Sequence, residues 1–148
     1  MESQPYRHLV CATRGGEASR ATEDKAIEIA QESGGDLTFL YVVDPELPEV
    51  YTAMFGPELV AEGLRDIGRV ILELAQKRAA AQGVPAHTAL RQGRVHEEIE
   101  RYITEHSEVD LLVVGHLSDE LRSHLGPFLA RMADGGQHVL EVKHHPEQ

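Results

Sequence analysis

Short apolar runs along the chain alternate with longer stretches in which apolar residues recur every three or four positions. The clearest run spans residues 111–115 and stops at Gly115. A continuous apolar run of this length is typical of a strand buried on both faces, as in a parallel sheet covered by helices. The same reasoning predicts four further strands, at residues 9–13, 36–43, 85–92 and 138–142. The strand at 85–92 is weaker and alternating, which favours a position nearer a sheet edge.

Four stretches with helical periodicity separate these strands. The longest begins near Glu58, and its largest apolar side chains are predicted to form a stripe against the core: Val60, Leu64, Ile67, Ile71 and Leu74. The other predicted stripes are Ala18, Ala21, Ala26, Ile29 and Ala30 in the first stretch, Val95, Ile99, Tyr102 and Ile103 in the third, and Leu121, Leu125, Phe128, Leu129 and Met132 in the fourth. Residues 45–57 contain three prolines and are predicted to be irregular.

The alternation of five strands with four helices predicts an α/β fold with a parallel, doubly wound sheet between two layers of helices. Residues 1–148 are predicted to form a single three-layer domain, with a core at 6–143 and a disordered tail at 144–148. In such a sheet, ligands bind beyond the carboxyl ends of the strands, where the strand order switches. Thr13 and Gly115 end the first and fourth strands, so we expect them to face each other across a crevice.

The charge balance disfavours several classes of partner. The formal net charge is −11, so the average surface repels nucleic acid and anionic membranes, and no basic run offsets it. No apolar run approaches the roughly 20 residues needed to span a bilayer. Cys11 is the only cysteine; it cannot form an internal disulfide, and its place in an apolar run predicts a small core residue. The sequence therefore indicates a cytoplasmic domain without a membrane or nucleic-acid partner.

In their order and spacing, these segments resemble the universal stress protein family across residues 7–143. The resemblance rests on L-V-C-A-T-R-G-G-E-A-S at the first strand, L-Y-V-V-D at the second, Gly93, V-D-L-L-V-V-G at the fourth, L-G-P-F-L-A-R-M, and the closing V-L-E-V. It implies a flavodoxin-like, adenine nucleotide alpha hydrolase-like domain with strand order 3-2-1-4-5. It also implies a homodimer whose last strands pair, with Val139, Leu140 and Val142 as the dimer edge.

Many members of that family bind ATP, and the resemblance implies where each contact would fall here. The corresponding crevice positions are Ala12, Thr13, Arg14, Val42, Gly115, Ser118, Gly126 and Pro127. Arg14 stands where the family places an aspartate that hydrogen-bonds the adenine, and a guanidinium has no acceptor atom. Val42 would meet the adenine ring through its backbone, a contact that tolerates substitution.

The family's phosphate site is a Gly-x-x-Gly turn, then nine residues and Gly-Ser or Gly-Thr. Here Ser118 replaces the second glycine, and Gly126 follows a shortened spacer with Pro127 next to it. Proline lacks both the expected hydroxyl and the backbone N–H of an anion-binding turn. The segment also carries charges of both signs: Asp119, Glu120, Arg122 and His124. Each lost charge-assisted bond costs about 1.5–3 kcal/mol, or one to two decades of affinity. We therefore predict no ATP binding in the family manner, and no bound cofactor.

Other chemistry has weaker support. Arg14 could receive a carboxylate or phosphate of a different ligand, or pair with a nearby acid such as Asp44. His116 follows the glycine that ends a strand, but the sequence identifies no neighbouring nucleophile, and we predict a loop histidine. The nine histidines show no H-x-x-x-H or H-E-x-x-H spacing, so no metal site is predicted. The sequence also contains no G-x-S-x-G elbow and no Walker sequence, and no catalytic residue is assigned.

Two functions remain open at this point. The first is a regulatory, stress-response domain that dimerises and contacts an unidentified protein partner, favoured by an intact fold pattern beside an altered nucleotide motif. The second is a small-ligand or nucleotide sensor, or a weak nucleotide-processing enzyme, that uses the crevice between Arg14 and Gly115.

Overall fold

Five parallel strands and four long helices alternate along the computed structural model, which describes residues 6–44 and 53–143. The strands are β1 (His8–Ala12), β2 (Asp36–Val43), β3 (Ala86–Gln92), β4 (Leu111–Gly115) and β5 (His138–Val142). The helices are α1 (Gly16–Ser33), α2 (Pro57–Ala81), α3 (Val95–Glu105) and α4 (Asp119–Asp134). Of the stretch predicted to be irregular, residues 53–55 form a helical turn and Pro57 begins α2, while 45–52 lie outside the described residues. The predicted tail, 144–148, also lies outside them.

The sheet has the order β3-β2-β1-β4-β5, and every neighbouring pair is parallel. This confirms the predicted α/β class and strand order. In the register, Ala12 lies beside Leu40 of β2 and Val114 of β4. The carboxyl end of β1 therefore lies one residue before the end of β4 and three residues before the end of β2. The strand order reverses between β1 and β4, which is where α/β folds place their ligand crevice.

Two apolar cores cover the two faces of the sheet. One contains Cys11, Phe39 and Val113 from the strands and is closed by α1 and α2. The other contains Val10, Leu40 and Leu112 and is closed by α3 and α4. Successive strand residues therefore enter opposite cores, because side chains alternate along a strand. This double burial explains the continuous apolar runs in the sequence.

The predicted core stripe of α2 is wrong. Ile67 and Leu74 are 54% and 55% exposed, and Val60, Leu64 and Ile71 are only half-buried. The helix instead buries small residues and one leucine: Ala61, Gly68, Leu72, Ala75 and Ala79. At Gly68 an added Cβ would lie 2.7 Å from Cδ2 of Tyr41 and 2.9 Å from Cδ1 of Leu90. The helix therefore approaches β2 and β3 too closely for a larger side chain at that position.

Two smaller differences concern helix faces. In α1, Ala18 is exposed, while Ser19, Thr22 and Glu23 are buried with Ala26, Ile27 and Ala30. Glu23 is therefore an acid on the buried face of this helix. In α4, the predicted stripe is confirmed at Leu125, Phe128 and Met132.

Candidate functional site

A cavity of about 540 Å³ opens at the carboxyl ends of β1, β2 and β4, within the usual range for small-molecule sites. Five of the predicted crevice positions line it: Ala12, Thr13, Arg14, Val42 and Gly115. The inner wall is largely apolar, formed by Leu40, Leu64, Ile99, Val114 and Leu121. Thr13 and Gly115 both line this cavity, as expected from the ends of their strands.

Buried hydrogen bonds stabilise the turn between β1 and α1. The Thr13 backbone N–H donates to the Leu40 carbonyl at 2.9 Å, and the Gly15 N–H donates to Thr13 Oγ1 at 3.2 Å. The Arg14 N–H donates to Ser19 Oγ at 3.1 Å. Gly15 has a φ of +80°, a conformation that glycine adopts without strain. Thr13 is only 3% exposed, and its hydroxyl points to Glu23 rather than into the cavity.

Glu23 holds this turn in place from α1, and the sequence analysis missed it. Its carboxylate is buried, accepts a hydrogen bond from the Thr13 hydroxyl, and accepts another from Arg78 Nη2 at 2.5 Å. Burial is the largest single effect on Arg78 and works against its charge, but the hydrogen bonds and negative charges of Glu23 and Asp24 together outweigh it and raise the pKa of the guanidinium. The helical spacing of Ser19, Thr22, Glu23 and Ala26 was the available signal that this carboxylate faces inward.

Cys11 lies beneath the same turn and is fully buried, which confirms the prediction of a core residue. Burial raises the pKa of its thiol, and the nearby carboxylate of Glu23 raises it further. A thiol held in its protonated form is a poor nucleophile.

A smaller, polar cleft of about 390 Å³ adjoins the cavity. It contains Arg14, Asp44 and Ser118, and between α3 and α4 it is lined by Arg94, Val95, His96, Glu120, Leu121 and His124. The imidazoles of His96 and His124 stack there, with ring centroids 4.5 Å apart. Ser118, a predicted site residue, therefore lines this cleft. Among the described residues it does not line the larger cavity. The pairing of Arg14 with Asp44 stays a prediction.

The loop after β4 is closed by a carboxylate from the neighbouring strand. Glu141 of β5 accepts hydrogen bonds from the Leu117 N–H at 3.1 Å and from Arg122 Nη2 at 2.7 Å. His116 Nδ1 lies 3.6 Å from the same carboxylate, on the exposed side of the loop. The side chain of Ser118 then caps α4 by accepting from the Leu121 N–H at 3.1 Å. One loop N–H that could face an anion is therefore already bound to a protein carboxylate.

Gly126 and Pro127 do not lie in a loop. They are inside α4, which begins at Asp119, and in the described part of the chain neither residue lines the cavity or the adjoining cleft. Residues 116–126 therefore form a short loop followed by two turns of helix. The first turn of that helix carries Asp119 and Glu120, which complement the positive end of the helix dipole.

A family comparison matches this arrangement. The family model described as the Universal stress protein family matches residues 5–134, most of the chain. The chain belongs to the universal stress protein family. The resemblance read from the sequence is thereby confirmed.

Individual relatives agree with this assignment. The chain is 32% identical over 110 residues to Universal stress protein MJ0531 of Methanocaldococcus jannaschii, a match that spans 74% of this chain and 64% of that protein. Universal stress protein UspA from Lactobacillus plantarum superposes with a TM-score of 0.72 at 22% identity, over 95% of this chain and 99% of that one. A universal stress protein solved in complex with cAMP gives a TM-score of 0.63 at 26% identity, over 95% and 98% of the two chains.

Within residues 6–44 and 53–143, this universal stress protein domain has no group of three or more His, Cys, Asp or Glu side chains that could hold a metal ion. In the same residues, no helix is both long enough and apolar enough to cross a bilayer.

Acid should weaken the contact that closes the loop. The hydrogen bond from Arg122 lowers the pKa of Glu141; burial opposes the shift, and the Leu117 N–H adds to it. A carboxyl with a lowered folded-state pKa stabilises the fold above its unfolded value and loses that contribution as the pH falls through the folded value. We expect the Glu141→Gln variant to be less stable than the parent at pH 7, with the deficit shrinking below about pH 4.5. Urea denaturation of both proteins from pH 3 to pH 8 measures this, and an undiminished deficit at pH 3 would contradict it.

Proposed function

We propose that this protein is a non-enzymatic regulatory member of the universal stress protein family that does not bind ATP through its triphosphate. The observation that carries the proposal is the loop after β4, whose Leu117 N–H is bound by Glu141. In family members that bind ATP, the resemblance places the phosphates on this loop. Here the loop passes directly into α4, and the glycine expected next to the phosphates is inside that helix.

Local charge supports the same proposal. Three carboxylates, Asp119, Glu120 and Glu141, lie at or beside the loop, and Glu141 already engages Arg122. A triphosphate would bring further negative charge to three carboxylates of which only Glu141 has a cation bound to it among the described contacts, while Arg14 and Arg94 line the adjoining cleft with Glu120. Phosphate and carboxylate groups that lie close together repel each other, and salt weakens this repulsion where the groups are exposed.

A regulatory member would act through its surfaces, in the cytoplasm and on a protein partner. β5 forms one edge of the sheet, and Val139, Leu140 and Val142 are half-buried along it. Pairing of β5 with its counterpart in a second copy would cover the backbone groups of this edge. The proposal therefore includes a homodimer through β5.

The open cavity favours a second candidate, a small-ligand or nucleotide sensor, or a weak nucleotide-processing enzyme. A volume of about 540 Å³ with apolar walls suits a nucleoside-sized body, and Arg14 at the mouth could meet one anionic group. The similar structure in complex with cAMP makes a cyclic or monophosphate nucleotide the first ligand to test. Such a ligand would not need the phosphate loop that Glu141 closes.

Calorimetry with Mg-ATP, AMP, cAMP and adenosine distinguishes the two candidates. We expect no ATP binding tighter than about 1 mM, because each missing charge-assisted contact costs one to two decades of affinity. Binding of AMP or cAMP alone would favour the sensor.

The matched control is Ala18→Trp, which puts a large side chain at an exposed position on the cavity lining without touching the core. Any binding within the cavity should be lost in this variant. Micromolar Mg-ATP binding that Ala18→Trp abolishes would overturn the first candidate.

A further inference from the structure

The exposed large apolar side chains are concentrated in one segment. In the described part of the chain they are Met54, Phe55, Leu59, Ile67, Val70 and Leu74, and each is more than half exposed. Single exposed apolar residues are ordinary on protein surfaces, whereas a contiguous group marks an interaction site. Four of these six residues belong to α2, so this helix carries an unexplained apolar surface.

The four exposed apolar residues of α2 lie with Gly63 on one side of the helix, which we call the outer face: Leu59, Gly63, Ile67, Val70 and Leu74. Their spacing of three and four residues puts them on one stripe. At about 100° per residue, the stripe lies on the far side of the helix from Ala61, Gly68 and Leu72, which pack on the sheet. The helix thus has two apolar faces, and the domain covers only one of them.

The outer face has the spacing of a helix–helix seam. Within the outer face, Gly63, Ile67, Val70 and Leu74 follow one another at intervals of four, three and four residues. That spacing is the a/d pattern by which two helices pack over several turns, with β-branched residues and leucine at the contact. A Cβ added at Gly63 would meet open space, so no part of the described chain fills the middle of the seam.

Charge along α2 selects the partner and its direction. The amino-terminal half carries three acids and one base, Glu58, Glu62, Asp66 and Arg65. In the carboxyl-terminal half the bases Arg69 and Lys77 outnumber the one acid, Glu73, while Arg78 is already bound by Glu23. A second copy of α2 running antiparallel would set the acidic half of each helix against the basic half of the other. A parallel copy would oppose like charges. Helix dipoles also favour the antiparallel arrangement.

We propose that the outer face of α2 is an isologous interface with a second copy of this chain, in which the two α2 helices pack antiparallel about Ile67 and Val70. This interface is independent of the one proposed at β5, because α2 packs on β2 and β3 while β5 forms the opposite edge of the sheet. Two different two-fold interfaces on one chain generate an assembly larger than a dimer. Where both operate, this chain therefore forms at least a tetramer.

Analytical ultracentrifugation of the full chain, from about 1 to 200 µM, tests the interface. We expect the double variant Ile67→Asp/Val70→Asp to raise the dissociation constant of the α2 contact at least 30-fold. The control Ala80→Asp adds one of the two negative charges of the double variant, at an exposed position on the polar side of α2, and should leave the dissociation constant of the α2 contact unchanged. A parent protein that stays monomeric, or an α2 double variant that assembles like the parent, overturns the proposal. Loss of assembly in Val139→Lys but not in the α2 variant overturns this proposal while leaving the β5 dimer intact.

Cysteine cross-linking tests the direction, because the only native cysteine, Cys11, is buried and will not compete. In the antiparallel arrangement, the two copies of residue 70 lie close to the two-fold axis. The two copies of residue 59 are about 29 Å apart along the helices, at 1.5 Å per residue. We expect Val70→Cys to form a cross-linked dimer under mild oxidation and Leu59→Cys to form none. Cross-linking at both positions would indicate a parallel pair and overturn the proposed arrangement.

Discussion

Replacing Phe39 with alanine is expected to destabilise the protein by about 3–5 kcal/mol, the usual cost of removing a buried phenyl ring. Among the described residues, Phe39 has the largest fully buried side chain, with no exposed surface. It lies in the middle of β2, beside Cys11 of β1 and Thr88 of β3, in the core closed by α1 and α2. The helix residues in that core include Ala26, Ala30, Ala75 and Ala79, which are too short to fill the void. The cavity should therefore persist and add its own cost.

Phe55→Ala is the matched control, since it removes the same ring from a position that is 52% exposed. Its expected cost is below about 1 kcal/mol, because little apolar surface leaves the solvent there on folding. Urea denaturation monitored by circular dichroism, with equal m-values, gives both differences. A Phe39→Ala variant within 1 kcal/mol of the parent would mean that the core rearranges around the lost ring.

The strands could be predicted because they are buried on both faces. The predicted bounds of β2, β4 and β5 agree with the structure, whereas β1 begins and ends one residue earlier than predicted and β3 begins one residue later. Such runs contain enough apolar residues to be recognised without any knowledge of the tertiary contacts. The strand order came from the family resemblance and is confirmed.

The faces of α2 could not be assigned correctly from apolar size. The stripe chosen from the sequence contains Ile67 and Leu74, whereas the buried stripe contains Ala61, Gly68 and Ala75. The two stripes have the same period and differ only in phase. Close packing of α2 on the sheet requires small residues, which carry a weak hydrophobic signal. A helix with two apolar faces therefore misleads an assignment that follows the largest side chains.

The site shows a similar limit. Residues at strand ends were predicted to lie near each other because topology alone brings Thr13 and Gly115 together. The contact between Leu117 and Glu141 spans 24 residues and depends on the orientation of one side chain of an edge strand. No local pattern specifies such a contact. Gly126 was assigned to the phosphate site through a family motif. In the structure it lies inside α4 and, among the described residues, does not line the cavity.

Replacing Glu23 with alanine is expected to cost about 3 kcal/mol and to loosen the turn that borders the cavity. Removing one partner of a buried ion pair costs roughly 3–5 kcal/mol, because the other charge stays partly buried. The Arg78 side chain is 30% exposed and has a second carboxylate, Asp24, at 3.4 Å, which places the cost at the lower end. Arg78 Nε is already buried without a hydrogen-bond partner, so the guanidinium has little further compensation within the described residues. The Thr13 hydroxyl would also lose its acceptor.

Two variants separate the contribution of Glu23 from that of an ordinary surface carboxylate. Glu28→Ala removes an acid from the exposed side of α1, where its carboxylate lies 3.4 Å from Lys25 Nζ. Such surface ion pairs contribute at most about 1 kcal/mol. Glu23→Gln keeps the shape and one acceptor, so its cost should fall between those of the two alanine variants.

Amide hydrogen exchange at Arg14 and Gly15 should accelerate in Glu23→Ala and stay at the parent rate in Glu28→Ala, because only Glu23 holds the hydroxyl that accepts from Gly15. Equal stability of Glu23→Ala and Glu28→Ala would show that the buried carboxylate contributes no more than a surface ion pair, and that the turn is held by its backbone hydrogen bonds alone.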